Sequence, residues 1–314
     1  MLIFYQVGGT MESQKIKNGI IITVIAGVLW GFSGTCAQYL FETYGMSPVY
    51  LTAMRMLLSG AMLSAVSLIR YRERFVSMLT KKEALLRLLV FSLGGVMFNQ
   101  VTYLLTISYT NSGTATILQY IGPVLVMVTS CFIEKRMPQG RELTAIALVV
   151  IGTFLLATHG DIRSLCITPK GLIWGLISAF ALMSYTMLPG NLLKEYGAIP
   201  VVGGGMLFGG MVLFLGSGSF RVPFNGDSGF LVPFFVIIIF GTVLPYTMYL
   251  MGVNLCGAVK ASMIASVEPV SATVCMVVWL GESFSVIDFI GFACIFATVF
   301  LLAGRSAARF KQPR

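Results

Sequence analysis

Charge is scarce in this chain: 11% of its 314 residues are charged, against roughly 25% in an ordinary soluble domain. So thinly charged a surface cannot keep a fold dispersed in water, and a water-soluble protein is excluded. Histidine is scarcer still, with His159 alone, whereas zinc sites and most acid–base or nucleophilic catalysis lean on imidazole. A histidine-based enzyme is not expected. No CxxC spacing joins the six cysteines; Cys36, Cys131, Cys256, Cys275 and Cys294 fall in apolar runs and Cys166 in a loop. They read as small packing hydrophobes rather than a disulfide or metal framework. No G-x-x-x-x-G-K-[ST] loop occurs, so the chain carries no ATPase of its own and implies no ATPase subunit. The absence of any low-complexity tract removes disorder. No metal, cofactor or catalytic residue is implied.

Apolar residues are what the chain has in excess. They make up 57% of it and the mean hydropathy is +0.88, so lipid is the solvent for most of the protein. A hydrocarbon core of about 30 Å takes roughly 20 apolar residues of helix. Ten windows meet that demand: 18–40, 48–69, 86–107, 112–133, 142–158, 170–189, 198–217, 230–251, 257–280 and 286–304. The expected fold is an all-α polytopic membrane protein of ten transmembrane helices. Turn chemistry or charge separates the windows, as in Tyr44 to Pro48, Arg70 to Lys82, Met137 to Gly140, Pro189 to Asn191 and Phe224 to Asp227.

The basic residues orient these spans. With the N-terminus in the cytoplasm, 16 lysines and arginines fall on that side and three, Arg163, Lys170 and Arg221, on the other. Both termini are therefore expected in the cytoplasm. The net charge of +9 is an orientation signal and leaves a nucleic-acid partner nothing to explain. Residues 1–14 lack the pattern of a removable signal peptide, and Met11 reads as a more natural start than Met1.

An internal repeat divides the chain. At an offset of 146, residues 91–157 align without gaps on 237–303: Gly95 with Gly241, Tyr103-Leu104 with Tyr249-Leu250, Ala115 with Ala261, and Pro123-Val124 with Pro269-Val270. One offset holds across three spans and two loops. Five spans per half thread the second half oppositely, an inverted repeat of the kind that secondary transporters use, with the substrate held near mid-membrane between the halves. The expected organisation is a cytoplasmic segment 1–17, a first repeat 18–158, an outer connecting loop 159–169, a second repeat 170–304 and a basic cytoplasmic tail 305–314.

Polar groups inside hydrocarbon cost about 2.5 kcal/mol or more, so those present face a bundle interior or a wet cavity. The helical rise puts Trp30 about 18 Å, Arg55 and Gln119 about 20 Å, Asn99 about 21 Å and Glu268 about 16 Å from the cytoplasmic face. These five share one layer within the error of about 4 Å. Each has a plainer reading. Arg55 can snorkel to the outer surface, Glu268 can accept N–H bonds freed near Pro269, Asn99 and Gln119 can join neighbouring helices, and Trp30 can simply pack. Tyr246 and Tyr185, nearer the cytoplasmic face, either gate an inner exit or anchor the interface. Lys260 and Asp288 snorkel from span ends. Gly27 and Gly31, Gly171 and Gly175, and Gly205 and Gly209 form small-xxx-small faces for close helix packing.

An ordered set of residues resembles the EamA family of the drug/metabolite transporter superfamily, and within it bacterial inner-membrane members. The set is Leu29-Trp30-Gly31, Pro48 with Arg55, Ser112-Gly113-Thr114-Ala115 running to Pro123, Gly241-Thr242 with Tyr246, Ala261, Glu268-Pro269 and Gly281-Glu282. The resemblance implies ten helices in two inverted five-helix repeats and export of amino acids or related metabolites. Two departures make the halves chemically unequal: Gly122-Pro123 stands opposite Glu268-Pro269, and Glu134 comes two positions earlier than Glu282 requires. The expected substrate-binding set is Trp30, Arg55, Asn99, Gln119, Tyr185, Tyr246 and Glu268, with Arg55 meeting a carboxylate and Glu268 an ammonium group or Arg55 itself. The expected partners are a small-molecule substrate and membrane lipid; proton coupling through Glu268 and passive facilitation fit equally. Rival readings are a multidrug or hydrophobic-cation efflux pump and a polytopic enzyme acting on lipid-linked substrates.

Overall fold

The computed structural model describes the backbone of residues 2–158, 168–222 and 226–280, with 286–287, 289–291, 293–294 and 297; side chains are described from Gln14 onward, apart from 117, 153, 156–158 and 280. His159, Arg163, Cys166, Gly281-Glu282, Asp288, the basic tail and much of the tenth window lie outside the described residues. Every regular element among the described residues is helical. Helix α1 (Leu2–Tyr44) is followed by α2 (Pro48–Arg70), α3 (Arg72–Thr80) and α4 (Lys82–Phe91), which passes through a π-helical segment, Ser92–Met97, into α5 (Phe98–Tyr109). Next come α6 (Ser112–Gln119), α7 (Gly122–Ile133) and α8 (Gly140–Thr158), then α9 (Pro169–Met187), α10 (Gly190–Tyr196) and α11 (Ala198–Gly216). Helix α12 (Ser228–Ile238) runs through a second π segment, Ile239–Val243, into α13 (Leu244–Cys256), and α14 (Ala258–Ile264) and α15 (Val267–Leu280) follow.

Among the described residues, seven helical stretches are long and apolar enough to cross a membrane: Gln14–Tyr44, Pro48–Arg70, Lys82–Tyr109, Pro169–Tyr196, Ala198–Gly216, Ser228–Cys256 and Ala258–Trp279. They fall on the first three windows and on the sixth to ninth. The fourth window is not one helix but two, α6 and the short apolar α7, and the fifth coincides with α8. The stretch Arg70 to Lys82, read above as a break, contains helix α3, whose Phe75 and Met78 are buried against the helices beside it.

Proline places the irregularities. Pro123 and Pro269 sit in the first turns of α7 and α15, and a proline ring both lacks an N–H and collides with the carbonyl four residues back. The helices break just there, between Gln119 and Gly122 and between Ile264 and Val267. In the same way Pro245 opens α13 directly after the π segment. Displaced by 146, the first π segment becomes 238–243 and the first break 265–268, each within one residue of the second π segment and the second break.

Packing is tightest where side chains vanish. A Cβ on Gly31 of α1 would lie 2.5 Å from the Ala272 nitrogen and 2.6 Å from the Glu268 carbonyl oxygen. Gly31 therefore lets α1 lie directly on the backbone of α15. On Gly209 of α11 a Cβ would stand 2.9 Å from the Ser92 carbonyl oxygen, at the first π segment. Ile69, Leu215 and Val232 face outward while Thr106, Ser59 and Thr242 are buried, an apolar outside over a polar inside. At one helix end Arg136 holds Glu142 through Nη1 and Nη2 at 2.8 and 3.2 Å, and with Glu134 this raises its pKa.

Candidate functional site

The irregular backbone creates the site. Pro245 has no N–H to return to the Gly241 carbonyl, and the Arg55 guanidinium from α2 takes that oxygen instead, Nη2 donating at 3.3 Å. Its Nε donates to the Thr242 hydroxyl at 3.0 Å, and Thr242 in turn donates to the Ile237 carbonyl at 2.9 Å. The guanidinium lies 5.9 Å from the centre of the Tyr246 ring, a cation–π contact. At the second break the Ala265 carbonyl accepts from the Glu268 N–H at 2.9 Å and from the Tyr120 hydroxyl. Tyr120 also reaches Glu268 Oε2 at 3.3 Å, while the Tyr103 hydroxyl donates to Oε1 at 3.1 Å.

These groups line one small cavity, of about 20 Å³, between α1, α2, α5, the α6–α7 break, α9, α13 and the α14–α15 break. Six of the seven residues picked from the sequence line it: Trp30, Arg55, Asn99, Gln119, Tyr246 and Glu268. All six are buried, with Arg55 at 3% and Glu268 at 4% exposure, so Arg55 does not snorkel to a surface. Tyr185 is not on the wall. It lies behind it, stacked on Tyr249 and Phe91 and donating to the Tyr246 carbonyl at 3.1 Å.

Two expectations about partners are corrected. The ion pairs among the described residues are Lys81 with Glu195, Arg87 with Glu83, and Arg136 with Glu134 and Glu142; Glu268 does not pair with Arg55. Nor is the Glu268 carboxyl bonded to backbone N–H groups near Pro269, because two tyrosine hydroxyls hold it. The amides do join helices: Gln119 Nε2 donates to Asn99 Oδ1 at 3.1 Å and to Ser178 Oγ at 2.7 Å. Trp30 packs against Tyr246 and Tyr249, each ring centre 5.0 Å away, and its Nε1–H has no hydrogen-bond partner among the described residues.

The sequence reading missed Tyr103, Tyr120 and Tyr249 as wall residues. A signal for two of them was present. Tyr103 and Tyr249 are repeat partners at the offset of 146, and a polar-tipped ring at the same depth in both halves marks a shared interior. Tyr120 carried no such mark, because it becomes a wall residue through the helix break.

Apolar helical spans around a buried polar cavity, among described residues that form helices alone, define a multi-pass membrane protein. The EamA-like transporter family matches it twice, at residues 17–158 and 169–304, and the chain belongs to that family. It is 38% identical over 293 residues to the uncharacterized inner membrane transporter YicL of Salmonella typhimurium, covering 93% of this chain and 97% of that one. The uncharacterized transporter YetK of Bacillus subtilis is 28% identical, over 98% of this chain and 91% of its own. A solved crystal structure at 19% identity superimposes with a TM-score of 0.73 over 91% of this chain and 96% of its own, a likeness of fold.

Proposed function

We propose that this transporter exports a small polar metabolite, an amino acid or a related amine or carboxylate, by alternating access through the central cavity. The observation that carries the reading is Arg55: a guanidinium buried among the helices with no acidic partner among the described residues, in the same cavity as the Trp30 Nε1–H, which has no hydrogen-bond partner among them either. Unspent donors around a buried cation call for an anionic acceptor. In this reading Arg55 and Trp30 receive the carboxylate, Asn99 and Gln119 set the polar wall, Tyr246 covers the guanidinium, and Tyr185 backs Tyr246 from behind.

Ten helices in two oppositely threaded five-helix repeats, 18–158 and 170–304, complete the proposal, with both termini in the cytoplasm of the bacterial plasma membrane. The recurrence of π segments and proline breaks at one spacing, and the twofold family match, support that architecture. Rocking of one half against the other would open the cavity to each side in turn. The test is flux in proteoliposomes over a panel of zwitterionic amino acids, amines and monocarboxylates. Arg55→Ala abolishes flux of the carboxylate-bearing substrate. Flux that survives Arg55→Ala, or flux confined to hydrophobic cations, overturns the reading.

A further inference from the structure

We propose that the Glu268 carboxyl group is a proton-binding site, carried neutral in this closed arrangement by Tyr103 and Tyr120, and that its proton is bound together with the substrate anion at Arg55. The pairing with a substrate rests on the function proposed above; the proton site does not. The geometry is a string of oxygen atoms. Thr116 Oγ1 lies 2.6 Å from the Ser112 carbonyl and 2.9 Å from the Tyr103 hydroxyl. Tyr103 lies 3.1 Å from Glu268 Oε1, and Tyr120 lies 3.3 Å from Oε2 while also meeting the Ala265 carbonyl.

That string has five oxygen–oxygen contacts but only the three hydroxyl hydrogens of Thr116, Tyr103 and Tyr120. An ionised Glu268 adds no hydrogen, which leaves two contacts as bare lone pair against lone pair. A proton on Oε2 fills one of them: Thr116 donates to Ser112, Tyr103 to Oε1, the carboxyl O–H to Tyr120, and Tyr120 to Ala265. Buried polar chains in low dielectric penalise each unfilled contact heavily.

The surrounding charge agrees. Besides Glu268 itself, Arg55 on α2 is the charged group among the wall residues, and its hydrogen bonds go to Thr242 and Gly241 rather than to the carboxyl. The other titratable groups facing the cavity are Tyr103 on α5, Tyr120 at the α6–α7 break, and Tyr246 and Tyr249 on α13; α1, α9 and α14 contribute Trp30, Leu182 and Ser262. A buried carboxylate without a cation partner is costly, and the usual relief is to take a proton. Neutral Glu268 leaves the cavity at +1 through Arg55, matched to one anionic group; ionised Glu268 leaves it uncharged. Proton binding and anion binding then favour each other by the same factor.

The experiment is infrared difference spectroscopy of the full-length protein in lipid nanodiscs, without substrate, titrated between about pH 4 and 9, a window that spans ordinary and buried carboxyls. The expected result is a carbonyl stretch of a neutral carboxylic acid that disappears as pH rises, shifts in heavy water and is missing in Glu268→Gln. Tyr120→Phe should move the titration. Arg55→Gln should raise the proton affinity by about tenfold or more, because removing a nearby cation favours the neutral acid. A titrating band unchanged in Glu268→Gln, or none in the wild type, overturns the proposal. If Glu268→Gln does not fold, a band unmoved by both Tyr120→Phe and Arg55→Gln overturns it equally. Failure of flux in vesicles with an intact titrating band would refute the transport reading alone.

Discussion

Arg55 Nε donates to the Thr242 hydroxyl at 3.0 Å, so the cavity's guanidinium is tied to the second π segment and not to the cavity's carboxyl group. The bond makes the cation part of the bend that shapes the wall. Thr242→Val removes the acceptor and leaves a charged N–H buried and unpaired, a loss of about 1–3 kcal/mol. Thr247 is the internal control, because its buried hydroxyl has no partner among the described residues and Thr247→Val sheds an unsatisfied group. Unfolding midpoints in detergent should fall for Thr242→Val and hold or rise for Thr247→Val. Equal midpoints would remove the Arg55 bond from the stability of the fold.

Backbone contact at Gly31 gives a second prediction. A Cβ there meets main-chain atoms of α15 at 2.5 and 2.6 Å, and main chain cannot swing aside as a flexible side chain can. Gly31→Ala must push α1 off α15 beside Glu268, and overpacking of this kind costs about 1–3 kcal/mol. Gly140→Ala meets nothing within 4 Å. Size-exclusion profiles of the purified variants should show a loss of monodisperse protein for Gly31→Ala and none for Gly140→Ala.

At a helix end, acid sensitivity is expected at Asp227. It accepts from the Tyr44 hydroxyl at 2.9 Å and caps α12 by accepting from the Phe230 N–H at 3.0 Å, and these two bonds hold its carboxyl below the usual aspartate range. An unfolded aspartate titrates near about 3.9. Since the folded value is the lower one, the contribution is present above about pH 4 and is lost as pH falls through the folded value. Hydrogen exchange at the Phe230 amide should quicken in that acid range in the wild type. In Asp227→Asn the acid dependence should disappear, and a wild-type profile in that variant would refute the cap.

How much of this was legible beforehand differs by kind. Span positions follow from hydropathy, a sum over many residues, and so the windows survive errors at single positions. That Trp30, Arg55, Asn99, Gln119 and Glu268 line one cavity agrees with a count that uses only a fixed rise per residue. Partners were not visible. That Glu268 meets Tyr103 and Tyr120 rather than Arg55 depends on azimuth around helices that prolines have bent, and no one-dimensional count reaches it. Tyr185 is a case of the same kind: a depth count gives its distance from the cytoplasmic face but not that its ring lies behind Tyr246.

Glu268 and Gly122 occupy the same place in the two halves, and the helices around them make the two positions unequal. A Cβ at Gly122 would lie 2.9 Å from Leu182 Cδ2 and 3.0 Å from the Ala179 carbonyl oxygen, so α9 fills the space that Glu268 finds open on the cavity side. Moving the carboxyl between halves, as Gly122→Glu with Glu268→Gly, should therefore fail twice. The new glutamate collides with α9, and Tyr103 and Tyr120 lose the acid they hold. The Gly122→Glu single variant isolates the first effect and should already lose folded yield. The Glu268→Gly single variant isolates the second and should stay folded but lose the titrating carboxyl band. A double variant that folds and titrates like the wild type would mean the two positions are equivalent after all.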